Sequence, residues 1–305
     1  MHAAAAATDA PPPRLAWWLR AIAALPLPVL HALGSAGGWL ARVVVRFRRA
    51  QVRANLARCF PDLPRHELRT IERRHYRDMS RTAFEFFRLA AMDDAELRAR
   101  VRLVNVALPA AARAAGHGVM FLSAHQGNWE WMLQRLALEF RPDFSCAYKP
   151  LRNAALDRQL LALRGRFGAR MTPAKSLLRV LVRRRRDRAP VTALAADQMP
   201  LSSPARVWLK FMGVTTAFYP GPAEIAARYD YAAFYVTMKR TAPGWYDASF
   251  TPIAAAGEKL PVEEFTARFA AGVEAQLRAD PADWAWGHRR WKLAPPAEAG
   301  IMPAD

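Results

Sequence analysis

The sequence predicts an α/β fold: a mixed central sheet flanked by helices, preceded by an apolar helical segment. Three features lead there. Short apolar runs such as Val119-Met120-Phe121-Leu122 and Val191 to Ala195 have the length of buried strands. Longer stretches with apolar residues at helical spacing, such as 64–91 and 262–278, lie between such runs. Of the 305 residues, 52% are hydrophobic, enough for a substantial core. The expected organisation is a start, 1–50, holding a disordered Ala/Pro-rich leader and an apolar membrane-associated segment, then one domain from 51 to 305.

Taken in order, residues 1–13 lack a basic region ahead of an apolar core, so no cleaved signal peptide is expected. Ala21 to Ala41 contains no Asp, Glu, Lys or Arg and has about the length that crosses a bilayer. Pro26, Pro28, His31, Gly34, Gly37 and Gly38 interrupt it, and Trp17, Trp18 and Trp39 flank it as interfacial anchors do. Arg42, Arg46, Arg48, Arg49, Arg53 and Arg58 follow, on the side that the positive-inside rule keeps in the cytoplasm. One kinked span, a hairpin lying in the cytoplasmic leaflet, and a pair of buried core helices all fit this pattern.

A helix ended by Pro61 comes next, then the amphipathic helix over 64–91, with Ile71, Tyr76, Met79, Phe84, Phe87 and Leu89 on or near one face. Residues 93–113 read as helix, strand, helix. His117 lies in a Gly-His-Gly turn before the 119–122 strand, at the far end of the sheet. Trp129 to Phe140 is a helix with Asn128 as its N-cap. "FSCAYKPLRN" is a strand running into a basic loop; a helix over 153–167, a short strand in "GARMTP" and a helix over 175–186 follow. The arginine-rich run 183–188 is either a solvated helix end or a docking patch for an acidic carrier protein or lipid headgroups. "PVTALAADQ" is a strand delivering Asp197-Gln198 at its C-terminal end, where ligands of open α/β sheets gather; the alternative for Asp197 is turn capping. Two strands around a Pro-Gly turn (231–240 and 245–253) and the helix over 262–278 complete the chain.

The balance of 45 Lys and Arg against 26 Asp and Glu, a net charge of +19, implies an anionic partner. Nucleic acid, anionic lipid and an acidic carrier protein are candidates, although a high-GC genome also enriches arginine. Cys59 and Cys146 show no metal or redox spacing, and Cys146 in "FSCA" reads as a small buried residue rather than a nucleophile. No Gly-x-Ser-x-Gly elbow, His-Glu-x-x-His site, P-loop or Gly-x-Gly-x-x-Gly fingerprint is present.

The chemistry concentrates in His125-Gln126-Gly127-Asn128-Trp129-Glu130. On one continuous helix the histidine and glutamate would point roughly 140° apart. With the histidine on the loop and Glu130 in the first helical turn, the carboxylate can fold back, fix the imidazole tautomer and leave the other nitrogen as a base. Gly127 would let a substrate approach the backbone, and N–H groups near 127–129 would face a developing oxyanion. The plainer alternative is a structural histidine at a strand end.

"SAHQGNWE" resembles the first block of the bacterial lipid A lauroyl/myristoyl acyltransferases, within the glycerolipid acyltransferase group with its His-x4-Asp/Glu pattern. The likeness runs from about Trp17 to Lys292. It takes in "VRANLARCFPDL", Glu85 in "AFEFFRL", Tyr148-Lys149-Pro150 with Arg152 and Asn153, the pairs Phe211/Gly213 and Gly221-Pro222-Ala223, and Trp286, His288, Arg289 and Arg290 in the closing "WAWGHRRWK". Phe218-Tyr219 before Gly221 departs from the family pattern. For Glu85, pairing with a nearby arginine is the preferred reading.

The resemblance implies His125 as general base oriented by Glu130. It implies substrate-binding roles for Gly127, Asn128, Tyr148, Lys149, Arg152, Asp197 and Arg289, and for one of Arg164, Arg166 and Arg170. Lys149 and Arg152 suit an anionic part of the acceptor or of the carrier's prosthetic group. The implied reaction moves an acyl chain from acyl carrier protein or coenzyme A to a hydroxyl of a lipid A precursor, or of another acceptor such as a lysophospholipid or ornithine lipid. No cofactor or metal is expected, and the expected location is the cytoplasmic face of the bacterial inner membrane. The rival readings are a nucleic-acid-binding protein, against which the apolar N-terminal segment argues, and a catalytically silent membrane module.

Overall fold

The structure, a computed structural model, describes residues 15–184, 189–200 and 205–295. The Ala/Pro-rich start and arginines 185, 186 and 188 lie outside the described residues. The elements are α1 (Trp17–Ala24), α2 (Leu27–Val43), α3 (Arg49–Cys59), α4 (Arg65–Arg88), α5 (Asp94–Arg100), β1 (Val101–Leu103), α6 (Ala107–Ala114), β2 (Val119–Ser123), α7 (Trp129–Phe140), β3 (Phe144–Tyr148), α8 (Ala154–Gly165), β4 (Arg170–Pro173), α9 (Leu177–Arg184), β5 (Val191–Ala195), β6 (Val207–Phe211), β7 (Val214–Phe218), α10 (Gly221–Tyr229), β8 (Ala232–Ala242), β9 (Trp245–Ala254) and α11 (Val262–Ala279).

Seven strands form one sheet in the order β1-β9-β8-β2-β5-β3-β4. Every neighbouring pair is parallel except β8 with β9, whose short connection makes an antiparallel hairpin. The fold is therefore the expected mixed sheet between helices, dominated by parallel pairing. At its centre β2 is buried on both faces. Phe121 packs with Trp131, Leu136 and Phe140 of α7 on one side, while Met120 and Leu122 join the cluster of Phe265 and Phe269 from α11 on the other. A strand covered on both faces reads as a continuous apolar run rather than an alternation, which is why 119–122 was legible.

A second, two-stranded sheet pairs β6 with β7. Its turn places Met212 at φ 52° and Gly213 at φ 73°. Residues with positive φ at both turn positions match the twist of a hairpin, but methionine seldom adopts it, so the sequence carries no clear turn signal.

No single described helix is long and apolar enough to cross a membrane; α1 and α2 meet that test only together, bent by 108° at their break. Helix α2 packs along α4, where a Cβ on Gly34 would come within 2.8 Å of Arg81 Cα and one on Gly38 within 2.4 Å of the Tyr76 carbonyl oxygen. Leu19, Leu27 and Leu30 share a cluster with Phe86 and Leu89, so helices on either side of residue 50 pack into one core. The outward face remains apolar: Trp17 is 80% and Trp39 57% exposed, with Leu33, Leu40, Val44, Val45 and Phe47 also in the open. The pair thus packs one face on the core and leaves the other exposed.

Candidate active site

The site is made by two neighbouring parallel strands ending together. In the β2–β5 ladder Ser123 pairs with Ala195, and the Ala196 N–H still donates to the Ser123 carbonyl at 3.1 Å. His125 and Asp197 each lie two residues beyond that pair. The His125 Nδ1 is 2.7 Å from Asp197 Oδ1, and the His125 backbone N–H donates to Oδ2 at 3.0 Å. The Trp284 indole N–H also donates to Oδ2, at 2.7 Å.

Burial opposes charge on Asp197, but the His125 charge and hydrogen bonds, joined by Trp284, outweigh it and hold the carboxyl down to about 2. Burial likewise presses the imidazole toward neutrality. Asp197 overcomes it, with help from the Glu130 charge, and His125 ends above its ordinary value. With Nδ1–H given to the carboxylate, Nε2 is the nitrogen left to act as a base. The Gln198 amide nitrogen lies 3.2 Å from Nε2, and the Trp129 ring stands edge-on to the imidazole at 5.5 Å.

Glu130 does not orient His125 through a hydrogen bond, which corrects the role expected for it. Its two oxygens are taken by Arg164 of α8, Nε to Oε2 at 3.0 Å and Nη2 to Oε1 at 2.5 Å. A planar guanidinium fork matches a carboxylate better than a single imidazole nitrogen does. Glu130 reaches the imidazole only through its charge. The same pair decides among the three candidate arginines. Arg166 instead donates to the carbonyls of Ala90 and Met92, both at 2.8 Å, and Arg170 is exposed on edge strand β4.

Asn128 caps α7 as expected, accepting from the Trp131 N–H at 3.0 Å. Its amide nitrogen donates to Glu85 Oε2 at 2.7 Å, and the side chain is fully buried. Gly127 sits at φ 56°, where a Cβ would lie 2.7 Å from Met238 Cγ, and its N–H is given to Asp283. Both residues shape the loop from behind, and neither is among the residues lining the cavity at His125. Glu85 has closer partners than an arginine. His31 Nε2 and the Tyr246 hydroxyl are each 2.6 Å away, against 3.7 Å for Arg240 Nη1.

The cavity has a volume of about 430 Å³. His125, Glu130, Arg164, Tyr148, Lys149 and Gln198 give it polar walls; Phe121, Leu133, Leu136, Leu160 and Met171 are among its apolar ones. Of the residues expected to touch substrate, Tyr148 and Lys149 thus line this cavity. Arg152 and Arg289 are exposed and stand outside the lining. Cys146 lines the wall with its thiol pushed up to about 12 by burial, which suits a packing residue and not a nucleophile. His117 is exposed at the N-terminal end of β2, opposite the site. Among the described residues no cluster of three or more His, Cys, Asp and Glu side chains offers a metal site.

Sequence reasoning missed Trp284 as a donor to Asp197, and gave Gln198 no role although it named it beside Asp197. It took Arg289 from the closing motif, whereas the buried arginine is Arg290, 1% exposed. Adjacent arginines carry no local signal that tells them apart.

The His125–Asp197 pair thus stands at the wall of a cavity with a polar side and an apolar side. The chain belongs to the bacterial lipid A biosynthesis acyltransferase family, whose family model matches residues 15–293. Comparison with curated proteins gave no match.

Proposed function

We propose that this acyltransferase moves a fatty acyl chain from an acyl thioester, carried on acyl carrier protein, to a hydroxyl of a membrane lipid acceptor such as a lipid A precursor. The observation that carries the reading is the His125 Nδ1–Asp197 Oδ1 contact of 2.7 Å at the wall of an apolar cavity, in a chain of this family. The acyl chain lies in that cavity, with the thioester carbon beside Nε2. The acceptor hydroxyl gives its proton to Nε2 as its oxygen bonds to the thioester carbon. The carbon–sulfur bond then breaks, and the thiolate takes the proton back from the imidazolium. A positioned base of this kind contributes roughly 10² to 10⁴ in rate. Asp197 holds the tautomer and steadies the imidazolium, as the carboxylate of a Ser-His-Asp triad does. The backbone N–H groups of Trp129 and Glu130, the first two of α7, serve the developing oxyanion, since those of Trp131 and Met132 are given to Asn128.

Tyr148 and Lys149 at the cavity, with Arg152 on the adjoining exposed loop, meet the phosphate of the carrier's prosthetic group. The exposed apolar face of α1 and α2 and the arginines that follow it seat the enzyme on the cytoplasmic face of the inner membrane. The test is mass spectrometry of lipids from cells with and without the chain, and with His125→Ala. A lipid gaining one acyl group only with the wild-type chain is expected. Full acylation by the alanine variant overturns the assignment of the base.

A further inference from the structure

Behind the loop that carries His125 lie two buried carboxylates that the mechanism does not use. Gly127 gives its N–H to Asp283, and the next residue, Asn128, donates its amide to Glu85 Oε2 at 2.7 Å. Asp283 is 6% exposed and Glu85 0%. They come from opposite parts of the chain, Glu85 from α4 and Asp283 from the segment after α11. One guanidinium stands between them. Arg240 of β8 has Nη1 3.7 Å from Glu85 Oε1 and Nη2 3.8 Å from Asp283 Oδ1. At these distances the contacts are charge pairs rather than hydrogen bonds. Tyr246 closes the Glu85 side, since its hydroxyl accepts from Arg240 Nη1 and donates to Glu85 Oε2 at 2.6 Å.

Burial pushes Asp283 up to about 6; Arg240 opposes it, Asp280 and Asp78 add to it, and the Gly127 N–H opposes it too. A carboxylate this deeply buried costs stability, and Asp283 spends that cost on the backbone of the catalytic loop. Gly127 is at φ 56° against Met238, two residues before Arg240 on β8, where a Cβ would lie 2.7 Å from Met238 Cγ. Trp284, next to Asp283, donates to Asp197 Oδ2 at 2.7 Å and forms a backbone bridge with Gln126. Residues 283 and 284 thus grip the loop at Gln126 and Gly127 and also hold the partner of His125. Neither Asp283 nor Arg240 borders the acyl cavity. The N–H groups of Trp129 and Glu130 follow the gripped residues directly, and a displacement of about 1 Å in a reacting geometry can cost about 10² in rate.

We propose that Asp283 and Arg240 are positioning residues of the transfer reaction: with Glu85 they clamp Gly127 and Asn128 from behind and fix the Trp129 and Glu130 N–H groups against the reacting carbonyl. This rests on the acyl-transfer reading above and adds what holds its oxyanion donors in place. The clamp touches no substrate, so it acts on kcat and leaves substrate binding alone.

The test is steady-state kinetics of the full chain with lauroyl-acyl carrier protein as donor and a lipid A precursor as acceptor, with rates counted per folded molecule. Asp283→Ala should lower kcat by about tenfold to a hundredfold, with KM for the donor within about twofold of the wild type. Arg240→Gln should lower kcat by about tenfold. Asp283→Asn should lower it by about threefold, because the amide oxygen still accepts from Gly127 without the charge. Leu97→Ala, a buried change on α5, should lower the denaturant midpoint and leave kcat per folded molecule unchanged, which separates positioning from lost stability. Hydrogen exchange of the 126–130 amides should quicken by about tenfold in Asp283→Ala, while that of 191–195 in β5 stays as in the wild type. Wild-type kcat in Asp283→Ala, a loss confined to KM, or unchanged exchange at 126–130 overturns the proposal. If Asp283→Ala does not fold, Asp283→Asn and Arg240→Gln decide, and wild-type kcat in both overturns it. A wild type that transfers no acyl group sinks the acyl-transfer reading and this role with it, whereas an active wild type with an equally active Asp283→Ala overturns this role alone.

Discussion

Two carboxylates stand near His125, and they do different work. Glu130 is five residues away in the chain, and Asp197 is 72 away. The distant one takes the imidazole nitrogen, with its side chain 3% exposed, while the near one is locked to Arg164. The difference teaches that the carboxylate neighbour of His125 is chosen by strand register and not by spacing along the chain. Because β2 and β5 run parallel and in register, their two loop residues emerge at one point of the sheet edge. Glu130, in the first turn of α7, meets α8 instead.

The comparison can be broken by exchanging each carboxylate for its amide. Asp197→Asn should lower kcat by roughly 10² to 10⁴, because asparagine favours the wrong imidazole tautomer. Glu130→Gln should cost about tenfold, some 1.4 kcal/mol of barrier, since it removes a charge and loosens Arg164 without freeing the imidazole. Steady-state rates with acyl carrier protein as donor measure both, and a larger loss for Glu130→Gln would reverse the assignment of roles.

The pH profile sharpens the same point. The proposed base is neutral His125, and its folded value lies above the ordinary 6.5, so kcat/KM should rise as pH climbs through that higher value. Asp197→Asn removes the main cause of the elevation and should move the rising limb to lower pH. Glu130→Gln should move it less, in the same direction. In stability the sign runs the other way. The pair's contribution through His125 is complete below its unfolded value and is lost as pH rises through the folded one. The part through Asp197 is present above 3.8 and lost as pH falls through about 2. Denaturant midpoints across pH check these windows.

The smallest effect on chemistry is expected at the loop's rear. Gly127→Ala forces a side chain into φ 56° and against Met238, and should cost about 1–3 kcal/mol of stability. A denaturant midpoint equal to the wild type would mean that this close approach is not needed.

Much of the fold was legible because its signals are local. The Asn128 cap and the helix Trp129–Phe140 follow from a capping side chain and apolar spacing, and both occur as read. The β6–β7 hairpin was not legible, since its turn uses Met212 where an asparagine or glycine would have announced it. Glu85 was read as an arginine's partner and does pair with Arg240, and it also joins α2, α7 and β9 through His31, Asn128 and Tyr246. No spacing in the chain encodes that junction.

By itself the sequence determined which segments coil and which extend, and it put His125 and Glu130 forward with Gly127, Asn128, Tyr148, Lys149, Arg152, Asp197 and Arg289 as candidates for the site. Dihedral preference and apolar period act over a few residues, so one chain suffices to show them. Only the tertiary structure decided that Asp197 aims the imidazole, that Arg164 holds Glu130, and that Arg290 rather than Arg289 is buried. Those outcomes depend on how both faces of a sheet are packed and on the register of strands far apart in the chain. The energy that selects them is shared over the whole core.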